Sequence, residues 1–151
     1  MKHSTSVNAL RLRSILESSL YADDIDQAEA FYRDALGLDL MAREANRHLF
    51  FRCGSQMLLV FNPSRTIEET DAAPHGAHGA GHVAFGVPLS ELDEWESHLK
   101  ERGIEIEKDV TWPNSGRSIY FRDPAGNCLE LASPLIRGMA ESDVNSNHPL
   151  P

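Results

Sequence analysis

The chain has 151 residues, 41% of them apolar and 25% charged, with a formal net charge of −9. That length fits one domain of ordinary globular composition, and no apolar run approaches the ~20 residues of a membrane-spanning helix. The acidic balance and the scattered Lys and Arg argue against a phosphate-binding stripe, so neither nucleic acid nor membrane is an expected partner. Residues Met1–Asn8 are polar and lack the apolar core of a secretory signal, which makes a cytoplasmic location the expectation. Two cysteines, Cys53 and Cys128, are too few for a disulfide framework and too isolated for a thiolate metal knuckle; they read as small buried apolar residues.

After an N-terminal extension over residues 1–13, the segment Ile15–Ala22 reads as a strand. Asp24, with Gln27 three residues on, then opens a helix in a capping-box-like pattern. Ala28, Phe31, Tyr32 and Ala35 share one face of that helix, and Gly37 stops it. Strand signals follow at Leu38–Met41, His48–Arg52 and Gln56–Asn62, so the first half is β-α-β-β-β. The Gly-, Ala- and His-containing stretch from Pro63 to Gly81 reads as a linker without regular structure.

The second half repeats this order. A strand at His82–Pro88 leads into a helix from about Ser90, striped by Leu92, Trp95 and Leu99 and ending near Gly103. Strands at Ile104–Val110, Ser118–Arg122 and Asn127–Ala132 complete it. Gly37-Leu38-Asp39-Leu40 matches Gly103-Ile104-Glu105-Ile106, and His48-Leu49-Phe50-Phe51-Arg52 matches Ser118-Ile119-Tyr120-Phe121-Arg122. The expected organisation is a single α+β domain over 14–134: a module at about 14–63, a linker at about 64–80 and a second module at about 81–134. A polar, Pro-containing tail over 135–151 is expected to hang free and to carry no chemistry.

Alternation along the His82 strand puts Val83, Phe85 and Val87 on one face and His82, Ala84 and Gly86 on the other, where two small residues keep space open. Glu17 falls at the position of His82 in the first half, on a face with Ser19 and Tyr21. In Cys128-Leu129-Glu130-Leu131-Ala132 the carboxylate of Glu130 points away from the two leucines, and its match in the first half is the apolar Leu58 or its neighbour. Taken singly, a glutamate between leucines reads as the solvated side of an edge strand, and a strand histidine as a hydrogen-bonded one. Together, the three occupy equivalent, same-facing positions of a repeated unit, which independent surface placement does not readily produce.

Three segments resemble the vicinal-oxygen-chelate superfamily, which contains glyoxalase I, fosfomycin-resistance enzymes, extradiol dioxygenases and bleomycin-resistance proteins. They are Ala30–Leu38, Gly81–Phe85 and Tyr120–Leu131, and the Asp123-Pro124-Ala125-Gly126-Asn127 turn followed by Glu130 is the most specific of them. The resemblance covers about residues 14–134. It implies two tandem βαβββ modules forming a cupped mixed sheet around one divalent metal ion (Mn, Ni, Zn, Co or Fe), in a homodimer whose ligands come from one chain or from both. The metal positions it implies are Glu17, His82 and Glu130, with Glu17 or Glu130 also serving as a catalytic base.

Glu17 departs from the dioxygenase and fosfomycin-enzyme patterns, which carry histidine there. Two carboxylates and one imidazole make a harder site than the two-His, one-carboxylate set of oxygen-activating iron, which disfavours the dioxygenase alternative. The expectation is a lyase, isomerase or thiol transferase whose metal chelates adjacent oxygens of a small-molecule substrate. Its alternative is a metal-free antibiotic- or small-molecule-binding protein of the bleomycin-resistance type. Tyr120, Trp112, Arg117, Arg52 and His75 are the expected substrate contacts, with His78 beside His75 in the glycine-rich approach to the His82 strand.

Overall fold

The computed structural model describes residues 10–12 and 14–144. The expected repeat is present as two four-stranded mixed sheets of identical topology. In the first, strand β1 (Glu17–Tyr21) runs parallel to β4 (Gln56–Phe61), which pairs antiparallel with β3 (His48–Cys53), and that in turn with β2 (Asp39–Glu44). In the second, β5 (His82–Gly86), β8 (Cys128–Ala132), β7 (Arg117–Arg122) and β6 (Lys108–Thr111) repeat the order. Strand β6 is shorter than the expected Ile104–Val110, because only its second half reaches a pairing partner: Ile104 and Ile106 pack against the core as a loop instead.

The helices follow from their caps and stripes. Helix α1 (Ile25–Ala30) starts where the Asp24 carboxylate accepts from the Gln27 amide at 2.9 Å and continues as a widened turn over Phe31–Ala35. Gly37 ends it at φ 66°, a left-handed conformation that glycine adopts without strain. Helix α3 (Leu92–Glu101) buries Leu92 and Leu99 completely, with Trp95 partly covered. The linker is not wholly irregular, since Asn62 caps a single helical turn, α2 (Pro63–Thr66), and Pro63 occupies its first position, where the missing N–H costs nothing.

One hydrophobic core joins both modules, with Leu49, Phe51, Ile119, Phe121 and Leu129 at its centre. The Asp-Pro-x-Gly-Asn turn acts as a polar clasp between the modules. Buried Asp123 accepts from Tyr32 Oη of the first module at 2.7 Å and from the Asn127 amide and side chain at 2.8 and 2.9 Å. Asn127 then donates to the Tyr21 carbonyl at 3.1 Å and accepts from the Gly81 amide at 2.8 Å. Burial and the neighbouring Asp123 push the Tyr32 phenol far above its ordinary range, so it stays a donor.

Because the helices cover one face of each sheet, alternation leaves the other face, the inner face, for chemistry. Register arranges each inner face in rows across the strands. On the second sheet the rows are His82–Cys128–Arg122, Ala84–Glu130–Tyr120 and Gly86–Ala132–Ser118. On the first they are Glu17–Met57–Arg52, Ser19–Leu59–Phe50 and Tyr21–Phe61–His48.

The tail does not hang free as far as it is described. Residues Pro134–Arg137 and Glu141–Asp143 form two tight turns; Glu141 accepts from the Leu89 amide, and Val144 packs on Gly86, where a Cβ would meet it at 2.4 Å. The small residue at Gly86 therefore admits the tail rather than keeping open space. Residues 145–151 lie outside the described residues.

Candidate metal centre

His82 and Glu130 are brought together by the parallel pairing of β5 with β8. His82 Nδ1 lies 2.9 Å from the Cys128 carbonyl. A carbonyl only accepts, so Nδ1 carries the proton and donates, which turns Nε2 toward Glu130 Oε2 at 3.3 Å. That leaves Nε2 facing the Glu130 carboxylate, so the two groups point at one place. Backbone fixing of one ring nitrogen so that the other is free is the usual support for a metal-ligating histidine.

Glu130 is 1% exposed, and its Oε1 accepts from Tyr120 Oη at 3.0 Å. Burial raises the Tyr120 phenol above its ordinary value, Ser118 opposes this and Glu130 adds to it, so the hydroxyl remains a donor. A carboxylate this deeply buried, with one donated side-chain hydrogen bond, leaves Oε2 as the oxygen open to a further partner. The pair, one imidazole and one hard carboxylate, has donor chemistry that fits a divalent first-row ion.

Glu17 is exposed on the inner face of the first sheet. Among the described residues of a single chain no three His, Cys, Asp or Glu side chains gather as a metal site, so one chain unites His82 with Glu130 but not with Glu17. The first-sheet position matching Glu130 is Leu59, the neighbour of Leu58, since Leu59 pairs with Ser19 as Glu130 pairs with Ala84. Leu58 instead faces the core.

The expected substrate contacts divide. Tyr120 lies against the pair, its ring 6.5 Å from that of His82 and tilted by 22°. Trp112 stands at the rim of the same face, its indole N–H donating to Ser118 Oγ at 2.8 Å. Arg117 is not brought there. It shares the helix side of β7 with Ile119 and Phe121, as strand alternation requires, and is held by Asp93, Glu96 and Asp109 at 2.5, 2.9 and 2.8 Å. Arg52 and His75 belong to the first sheet: Arg52 to the row of Glu17, and His75 to a strap where Tyr21 Oη meets Nδ1 at 2.7 Å. His78 lines a recess of about 250 Å³ with Asp23, Asp24 and Pro124, at the junction of the modules.

Sequence reasoning missed the clasp role of Asp123 and Asn127, although the fixed turn that contains them was a visible signal. It also missed that Cys128 serves through its carbonyl, which no side-chain pattern reveals.

The model of the Glyoxalase/Bleomycin resistance protein/Dioxygenase superfamily matches residues 12–131. The chain belongs to this superfamily. Among superfamily proteins it is similar to a solved lactoylglutathione lyase from Agrobacterium tumefaciens, with 41% identity and a TM-score of 0.81 over 83% of this chain and 97% of that one. It is 27% identical to metallothiol transferase FosB of Staphylococcus haemolyticus over 80% of this chain and 83% of the relative. Glutathione transferase FosA of Serratia marcescens is 29% identical over 80% of each.

Proposed function

We propose that the protein is a divalent-metal-dependent superfamily enzyme of the thiol-transferase or lyase type. We place its centre where His82 and Glu130 of one chain meet Glu17 of a second copy. The observation that carries this is the poised pair: His82 Nε2 faces Glu130 Oε2, with the ring pinned by Cys128 and the carboxylate pinned by Tyr120. Glu17 sits at the position of His82 in the other half, exposed, and among the described residues of its own chain it joins no group of ligating side chains.

His82, Glu130 and Glu17 would hold the ion. When bound, the ion chelates adjacent substrate oxygens and stabilises negative charge that develops on them. Tyr120 fixes the orientation of Glu130 through its hydrogen bond, and Glu130, buried and doubly engaged, serves as a static ligand. Glu17 is exposed and is the carboxylate with room to accept a proton from substrate carbon or thiol and to return it. Trp112 closes the rim against water. The similarity to a lactoylglutathione lyase and to FosA and FosB supports a thiol adduct, or a thiol with an electrophile, as substrate.

The test is metal content. Protein purified without chelator should carry about one divalent ion per chain, and His82→Ala/Glu130→Ala little. Mixing that double variant with Glu17→Ala should restore metal binding and turnover, because a mixed dimer rebuilds one complete site. Equal, negligible metal in wild type and double variant would overturn the reading in favour of sequestration. Absence of complementation would overturn the shared site. Turnover is then assayed with hemithioacetals, thiol-plus-epoxide pairs and catechols.

A further inference from the structure

Arg52 and Arg122 are the same position in the two modules, yet their surroundings differ. Arg122 is bidentate on Glu107, at 2.7 and 3.1 Å, and also donates to the Gly126 carbonyl at 3.2 Å. Arg52 Nε is buried without a hydrogen-bond partner, and no ion pair to Arg52 is found among the described residues. Asp39, directly opposite it across β2 and β3, is exposed and does not engage it. Arg43, Arg47 and Arg117 by contrast are all paired with carboxylates. A buried guanidinium donor without an acceptor costs free energy, and its planar fork matches a carboxylate, sulfonate or phosphonate.

The next two rows of the same face carry rings. Phe50 stacks on His48 at 4.2 Å and 13°, and Phe61 meets Phe50 edge-on at 5.8 Å and 73°. His75 closes on Phe61 at 4.7 Å and is held there by Tyr21. Rows along a strand are about 7 Å apart, and Glu17 and Arg52 stand two strand spacings, about 10 Å, from each other. One planar group laid on the rings therefore reaches an oxyanion on Arg52 through a short linker, while its near end points to Glu17.

We propose that the inner face of the first sheet sets substrate specificity, with Arg52 anchoring an oxyanion and the half-buried Phe50, backed edge-on by the buried Phe61, receiving an aryl or conjugated apolar group. The substrate class is thus a small aryl-bearing anion, an unusual preference for a chain of net charge −9 and one that depends on Arg52, whose buried Nε has no acceptor. The placement of that substrate beside a metal rests on the function proposed above; the anion-and-ring site itself does not.

The test is a ligand-observed NMR titration of the metal-loaded and chelator-treated protein with 3-phenylpropionate, propionate and benzyl alcohol. The first should bind at least about tenfold tighter than either half-ligand, because both anchors engage at once. Arg52→Gln should weaken 3-phenylpropionate about tenfold, leave benzyl alcohol unchanged and leave metal content at the wild-type level. Arg52→Lys should restore part of the loss, and Phe50→Ala should weaken both aryl ligands. Unchanged 3-phenylpropionate binding in Arg52→Gln, or equal affinity for all three probes, overturns the proposal. If the wild type holds no metal but Arg52-dependent binding persists, the metal reading fails and this one stands.

Discussion

The two halves of the molecule share one scaffold, and of the nine matched inner-face positions only Arg52 and Arg122 carry the same residue. Where the first sheet has Leu59 opposite Phe50, the second has Glu130 opposite Tyr120: the same pair of shapes with a carboxyl and a hydroxyl added. Where the first has Glu17, the second has His82. A duplicated βαβββ unit can therefore carry an apolar and aromatic row on one inner face and a carboxylate with a phenol in the matching row of the other, without a change of topology or register. Chemistry in this fold lies in side chains placed on a common frame.

The largest expected effect comes from erasing that difference. Glu130→Leu with Tyr120→Phe gives the second sheet the residues of the first. Metal affinity should fall at least about 100-fold in a competition with a chromogenic chelator. The metal-free protein should gain about 1–3 kcal/mol in urea unfolding, since a buried, thinly compensated carboxylate is replaced by packing. A variant that loses stability, or retains the metal, would break the comparison.

A second substitution asks what holds the halves to each other. Tyr32→Phe deletes the hydroxyl that reaches Asp123 across the modules at 2.7 Å and leaves a buried carboxylate short of one donor. It should destabilise by about 1–3 kcal/mol in chemical unfolding, with metal content unchanged. Loss of metal in step with stability would mean that the clasp also shapes the site.

The smallest effect separates the halves by pH. Burial holds the His48 imidazole below its ordinary value of 6.5, Arg47 lowers it further and Glu44 opposes. A depressed folded-state value means that the folded protein binds fewer protons here. The stability this lends is complete above about 6.5 and fades as pH falls through that range. His48→Gln should flatten this part of the melting-temperature profile between pH 7.5 and 5.5, whereas a wild-type-like slope in the variant would assign the dependence elsewhere.

Much of the fold was legible before any coordinates. The repeat, the helix from Asp24 to Gly37, and the inward-facing set Glu17, His82 and Glu130 followed from period, caps and alternation, because these are local rules. The side of the sheet that Arg117 takes follows from its parity with Ile119 and Phe121, which are buried on the helix side. Strand β6 is shorter than its alternation suggests because Ile104 and Ile106 make core contact and not strand pairing. The tail was read as free because nothing in a polar sequence announces that Val144 will find Gly86.

Strand alternation and repetition depend only on neighbours along the chain, so which residues share a face and which halves correspond can be read from the residues in order. Distance between elements was decided by the tertiary structure. Parallel pairing of β5 with β8 set His82 against Glu130, and the packing of the two modules on a common core left Glu17 and Arg52 on a separate face. Those outcomes depend on contacts made across dozens of residues, where burial and hydrogen-bond satisfaction, rather than local propensity, select the arrangement.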